Sequence, residues 1–277
     1  MATSARVSAG QEIFSPTPAQ LRKILADSAA YCERLKSMAL DFVCREKIDE
    51  VSYEFDKRLG RVAVSGDIDD TRLIEDLKVR KTVRNAYLYD YQMIKKAGEY
   101  REQRDLLEEN GRPSAEKNVR LKTMRVTTEF LVFGPVGFLG PYWQNHFVYA
   151  ITGRDNLGGR ETIVITASPS EVREENYYKA RIWVDEKDLT ILRVEWEPLS
   201  LEATTDKIVS LIGSLKRKIT ATADYNVVKN GVRFPSFQTV REVYTTAEGK
   251  EHIKYEARYS YLDYKFFAVE TEVIIKK

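Results

Sequence analysis

The chain has 277 residues, 44 of them Lys or Arg and 42 Asp or Glu, with two histidines, two cysteines and a formal net charge of +2. A chain of that length can bury a core without disulfides or metals, and charge this evenly interspersed lacks the concentrated basic face of a nucleic-acid binder. No apolar run approaches the ~20 residues of a membrane-spanning helix.

Residues 1–16 show no periodicity and read as a flexible N-terminus, followed by a single domain over 17–277. Thr17 can serve as N-cap, Pro18 stands at the first helical position and Gln20 completes a capping box, so a helix is expected over 17–39. Leu21, Ile24, Leu25, Tyr31 or Cys32, Leu35 and Met38 recur on one face of it. Such a helix needs a sheet to cover it.

Leu40 to Phe55 reads as the first strand, with Phe42, Cys44 and Ile48 on one face despite a high charge content. The acidic run Asp67 to Asp70 lacks the order of a calcium loop and reads as exposed loop. Thr82 to Lys96 is a long strand with Tyr87, Tyr89, Tyr91 and Met93 on one side. It turns at Ala97-Gly98 into a partner strand that ends at Asn110-Gly111. Residues 112–129 fit helix or strand equally.

The segment Phe130 to Trp143 carries no charge and is broken by Gly134, Pro135, Gly137, Gly140 and Pro141. It is too short to cross a bilayer and too interrupted to be one helix. Either it is a buried loop plugging the end of the β core, or it is an apolar lid that lines a cavity or touches a membrane surface.

Four antiparallel strands follow between Tyr142 and Glu197. The first pair is separated by the turn around Gly158-Gly159, and the second, Ala180–Asp185 and Thr190–Trp196, is joined too tightly for a helical crossover. Leu192, Val194 and Trp196 share one face of the last of these, so the sheet is apolar on one side and wet on the other. A short helix near 202–214, strands on either side of Asn230-Gly231, and two closing strands through Tyr261 and from Phe267 to Ile275 complete about ten strands.

Catalytic machinery is not visible. His146 and His252 lack metal-ligand companions, there is no Gly-x-Ser-x-Gly elbow or Cys-x-x-Cys pair, and the glycines at 134, 137 and 140 follow no phosphate-loop pattern. No enzyme, cofactor or metal site is expected. The spacing of Cys32 and Cys44 allows a disulfide stapling the helix to the first strand, with two reduced core cysteines as the alternative. No charged-then-apolar signal opens the sequence, although Val7, Ser8 and Ala9 before Gly10 have the small-residue character of a cleavage site.

Several motifs carry a family resemblance: Phe147-Val148-Tyr149, Gly158-Gly159, Ile182-Trp183-Val184-Asp185, Asn230-Gly231 with Phe234-Pro235-Ser236, and Tyr261, Tyr264 and Phe267. In this order, after an amphipathic helix, a tyrosine-rich strand and an uncharged Gly/Pro segment, they resemble the LolA/LolB-type periplasmic lipoprotein-sorting proteins over roughly 82–277. The carriers' lid-latching arginine has no counterpart at any position here, and the charged loop at 57–81 is a further departure. The resemblance implies a curved, mainly β antiparallel half-barrel with the helix and the apolar segment on its concave face. It also implies export to the periplasm, which agrees with a Cys32–Cys44 bridge, and a lipid or lipoprotein acyl chain as partner.

The expectation is therefore a non-enzymatic half-barrel whose cavity is lined by Phe130, Phe133, Phe138, Leu139 and Trp143, with Trp183 and Trp196 from the central hairpins. Transient contact with a membrane surface accompanies that reading. The alternative is a structural or protein-interaction half-barrel with a filled core and no ligand.

Overall fold

The computed structural model describes residues 17–55, 78–124, 130–171, 178–198, 216–245 and 249–267. The N-terminal stretch before Thr17, the acidic run of 67–70, the helix expected near 202–214 and the closing strand beyond Phe267 lie outside the described residues.

Helix α1 (Pro18–Met38) starts where its cap residues place it. Gln20 N donates to Thr17 Oγ1 at 3.2 Å and Thr17 N donates to Gln20 Oε1 at 2.8 Å, so two otherwise orphaned amides are satisfied reciprocally. Ile24, Ser28, Tyr31, Cys32 and Leu35 form its buried face.

The strands in chain order are β1 (Phe42–Phe55), β2 (Val79–Lys96), β3 (Glu99–Glu109), β4 (Arg112–Pro113), β5 (Phe147–Leu157) and β6 (Arg160–Pro169). They continue as β7 (Tyr178–Asp185), β8 (Ile191–Pro198), β9 (Lys216–Asp224), β10 (Val227–Lys229), β11 (Val232–Phe234), β12 (Phe237–Thr245) and β13 (Glu251–Phe266). Eleven of them form one antiparallel sheet in the order β4-β3-β2-β1-β13-β12-β9-β8-β7-β6-β5, and β10 and β11 make a separate hairpin. The expected hairpin turns are present: Ala97 and Gly98, and likewise Asn230 and Gly231, have the positive φ that a tight turn demands. The Asn230-Gly231 turn joins the small hairpin rather than two strands of the main sheet.

The sheet is an unclosed, curved half-barrel. In a flat sheet the nine steps from β3 to β5 would span about 43 Å at ordinary strand spacing, longer than the ~32 Å axis of α1. Yet Tyr100 OH on β3 donates to Lys36 O of α1 at 3.4 Å, and α1 also packs against β5. The sheet curls until both ends reach the same helix.

Residues 112–129, ambiguous in sequence, prove to be neither a helix nor a full strand over the described part. After β4 the chain runs along the outer edge of β3, with Ser114 N bonding to Leu107 O, Leu106 N to Glu116 O and Val119 N to Arg104 O. It then crosses onto the concave side, where Lys122 N reaches Tyr89 OH and Met124 N reaches Glu50 Oε2.

Cys32 and Cys44 are buried free thiols, so the expected bridge is not formed. Each cysteine sits among different neighbours. Cys32 lies on the buried face of α1, whereas Cys44 is on β1 within hydrogen-bond reach of Tyr264. Burial pushes the Cys32 thiol up to about 12 and Cys44 above its usual range as well, which keeps both protonated and unreactive.

Candidate functional site

The concave wall has two chemically distinct halves. Over β6–β9 it is aliphatic and small-residued: Ile165, Ala167, Ala180, Ile182, Val194 and Ala223 are all buried, none more than 2% exposed. Trp196, which pairs with Ala180 and Ala221, packs on the same face. Small side chains on a wall make room above it, and α1 and the uncharged segment, which pack on each other, share one core with that wall.

This segment is a 3-10 turn at Leu131–Phe133, the single-turn helix α2 (Val136–Leu139) and a second 3-10 turn at Trp143–His146. Its main chain forms no ladder with the sheet. Instead tyrosines hold it: Tyr225 OH donates to Leu131 O at 3.0 Å, and Tyr149 OH donates to Phe138 O. Phe133 meets Tyr100 of β3 edge to face at 5.0 Å, and Phe138 meets Phe147 of β5 at 5.4 Å. The segment thus bridges the two lips of the half-barrel. Gln144 Nε2 ties its far end to α1 through Leu25 O at 2.7 Å.

The sequence-expected site residues divide accordingly. Leu139 is fully buried, Phe138 nearly so, and Phe133 and Trp143 pack on the core from the segment, while Phe130 is 38% exposed at its entrance. Trp183 belongs elsewhere. Its neighbour Ile182 faces the core, so Trp183 projects from the convex face, where its Nε1 donates to Asp155 Oδ2 at 2.9 Å between Arg181 and Arg193. Trp183 therefore does not join the other six.

The second half of the wall, over β1–β3 and β13, was missed in the sequence reading. There Glu46, Glu50 and Arg104 are buried among Tyr87, Tyr89, Tyr91, Tyr255 and Tyr261. Arg104 donates from Nε to Glu46 Oε2 at 2.5 Å and from Nη1 to Glu102 Oε2 at 2.8 Å, with its guanidinium 4.8 Å from the Tyr91 ring centre. Tyr261 OH completes Glu46, and Tyr91 OH completes Glu102 at 2.8 Å. Among the described residues, Glu50 accepts from neutral donors, Tyr255 OH, Asn85 Nδ2 and Met124 N. Burial raises the Glu102 pKa, with Arg104 only partly offsetting it, and burial also drives Tyr91 and Tyr261 well above their usual range. The missed signal was parity: Glu46 and Glu50 alternate in phase with Phe42, Cys44 and Ile48.

On the convex face a pocket of about 700 Å³ is lined by Arg45, Asp90, Gln92, Gln103, Asp105 and Lys265, among others. It lies beside a bulge where Asp263 takes a left-handed φ of 54°. None of the expected ligand residues lines it. Three of its charges are engaged: Arg45 with Asp90 at 3.3 Å, and Asp105 with Lys117 and Asn118 N.

No family model matches the sequence, and no curated protein matches it. Solved structures do. A DUF1329 family protein from Desulfovibrio piger is 10% identical, with 91% of this chain and 97% of that chain covered and a TM-score of 0.39. A protein described as an outer membrane lipoprotein-sorting domain from Vibrio parahaemolyticus is 8% identical, with 90% and 95% covered and a TM-score of 0.42. A LolA superfamily protein from Nitrosomonas europaea is 14% identical, with 90% and 94% covered and a TM-score of 0.35. The chain is similar to these proteins in the outline of its fold, and likenesses this distant reach neither ligand nor partner.

Proposed function

We propose that the protein is a non-enzymatic carrier that takes an acyl chain against the aliphatic half of its concave wall. The observation that carries this reading is how the uncharged segment is attached. It shares one core with a wall of small apolar side chains, yet it is fastened by side-chain bonds and ring contacts rather than by strand pairing. Its displacement leaves every ladder of the sheet intact and bares apolar side chains, a surface suited to methylene chains rather than to a polar substrate. The buried Glu, Arg and Tyr groups at the other end then border the trough, a polar limit to how far a chain can run. A lipid, or the acyl chains of a lipoprotein, are cargoes of this class, and the periplasm is the compartment that the sequence resemblance implies.

A second reading has an observation of its own. Leu131, Val132 and Leu139 are at most 3% exposed, and each contributes roughly 1.5–3 kcal/mol of burial to keeping the segment in place. A filled half-barrel that serves only as scaffold would look the same at rest. Denaturing the purified protein and analysing the extract by lipid mass spectrometry separates the two. A stoichiometric acyl species, displaced from the native protein by a fluorescent fatty acid, is the expected result, and neither extraction nor displacement would leave the scaffold.

A further inference from the structure

The two edges of the sheet are treated differently. The β3 edge is covered by β4 and by the chain that follows it, through the main-chain bonds at Leu106, Leu107 and Arg104. The β5 edge is the last strand in the order, and no described residue bonds to its outer side. A bare edge is ordinarily blunted by a lysine, a proline or an inward-pointing charge. β5 has none of these in its first half: no Lys, Arg, Asp or Glu occurs from Phe130 to Gly153, and Phe147 to Gly153 contains no proline. Val148, on the convex side of this strand, is 64% exposed.

The direction of the free groups follows from alternation. His146 O accepts from Ser170 N at 2.9 Å and Ala150 O accepts from Thr166 Oγ1 at 3.3 Å, so even-numbered residues turn their main chain toward β6. Phe147, Tyr149 and Ile151 therefore turn theirs outward. A row of alternating donors and acceptors is complemented by another extended backbone and by little else.

We propose that β5 pairs with β5 of a second copy of this chain, antiparallel about a two-fold axis through Tyr149. In that register Tyr149 faces Tyr149 of the second copy, and Phe147 faces Ile151, so outward-turned residues meet outward-turned residues and exchange both main-chain bonds. Val148 comes opposite Ala150, which covers the exposed valine. No like charges are brought together, because the paired segments carry none and each chain has a net charge of only +2. The bulge between Ile151 and Gly153 turns the strand away and ends the pairing there. This dimer forms whether or not the trough takes a lipid.

Sedimentation velocity of the full chain over a dilution series, with the V148K/A150K variant in parallel, tests the pairing. The wild type is expected to dimerise with concentration, and the variant, which sets like charges opposite each other twice, to do so on the order of tenfold more weakly. Hydrogen exchange needs no variant. The amides of Phe147, Tyr149 and Ile151 are expected to be protected in the dimer and to exchange freely on dilution. A wild type that stays monomeric, a dimer indifferent to the substitutions, or amides protected in the dilute monomer would each overturn the proposal, the last because the chain's own residues would then cover the edge.

Discussion

Arg104 on β3 and Glu46 on β1 are joined by two hydrogen bonds, of 2.5 and 3.1 Å, although β2 lies between their strands. The guanidinium crosses over the Tyr91 ring of that middle strand to make them. Both residues are buried, so neither charge has water to fall back on, and each depends on the other.

Glu46→Gln is expected to destabilise the protein by about 3–5 kcal/mol, since it leaves Arg104 buried with only Glu102 to balance it. The double variant E46M/R104M should cost clearly less than the sum of the two single changes. Chemical denaturation of the wild type, E46M, R104M and E46M/R104M measures the coupling, and strictly additive losses would contradict the geometry.

Glu102 gives the fold a pH dependence of known sign. Burial holds its pKa above the ordinary 4.5, so in the window just above that value the native state keeps a proton that the unfolded chain has released. Its contribution therefore declines as pH rises through that window. Glu102→Gln cannot ionise and still accepts from Tyr91, so its unfolding free energy should fall less steeply with rising pH than that of the wild type. Parallel profiles would show that Glu102 titrates normally.

Gly134 is required by space rather than by backbone angle. A Cβ there would collide with Tyr225 OH, the group that anchors Leu131 O. Gly134→Ala is expected to cost about 1–3 kcal/mol and to loosen the uncharged segment. Removing the hydroxyl as well, in G134A/Y225F, should recover part of that loss. A G134A protein as stable as wild type would mean that the segment is not seated against Tyr225.

The cysteines offer a chemical check. Both thiols are buried and held protonated, so alkylation of the native protein should label neither. After denaturation without reductant both should be labelled, and a failure to label them would restore the Cys32–Cys44 bridge.

What could be read in the sequence was whatever repeats locally. The Thr17 cap, the alternation Tyr87, Tyr89, Tyr91, Met93 and the glycine-bearing turns each report a conformation within a few residues, and each appears where expected. The uncharged segment was legible for the same reason, through the residues it lacks. The polar half of the wall was not legible. Glu46, Glu102 and Arg104 look like solvated strand residues until the sheet brings β1, β2 and β3 side by side, and the partner that makes burial tolerable is supplied only by that register. Trp183 failed in the opposite sense. A tryptophan in an apolar strand suggests a core position, but its place one residue past Ile182 puts it under Arg181 and Arg193 on the outer face. The cysteine spacing suggested a staple because linear distance says nothing of which wall each sulfur faces.

The three tryptophans make the carrier reading directly measurable, because Trp143 and Trp196 pack on the core at the concave side and Trp183 lies on the convex side. Titration with a brominated fatty acid should quench the fluorescence of the wild type and leave W143F/W196F, which keeps only Trp183, unquenched. Equal quenching of the two proteins, or none in either, would contradict an acyl chain in the trough.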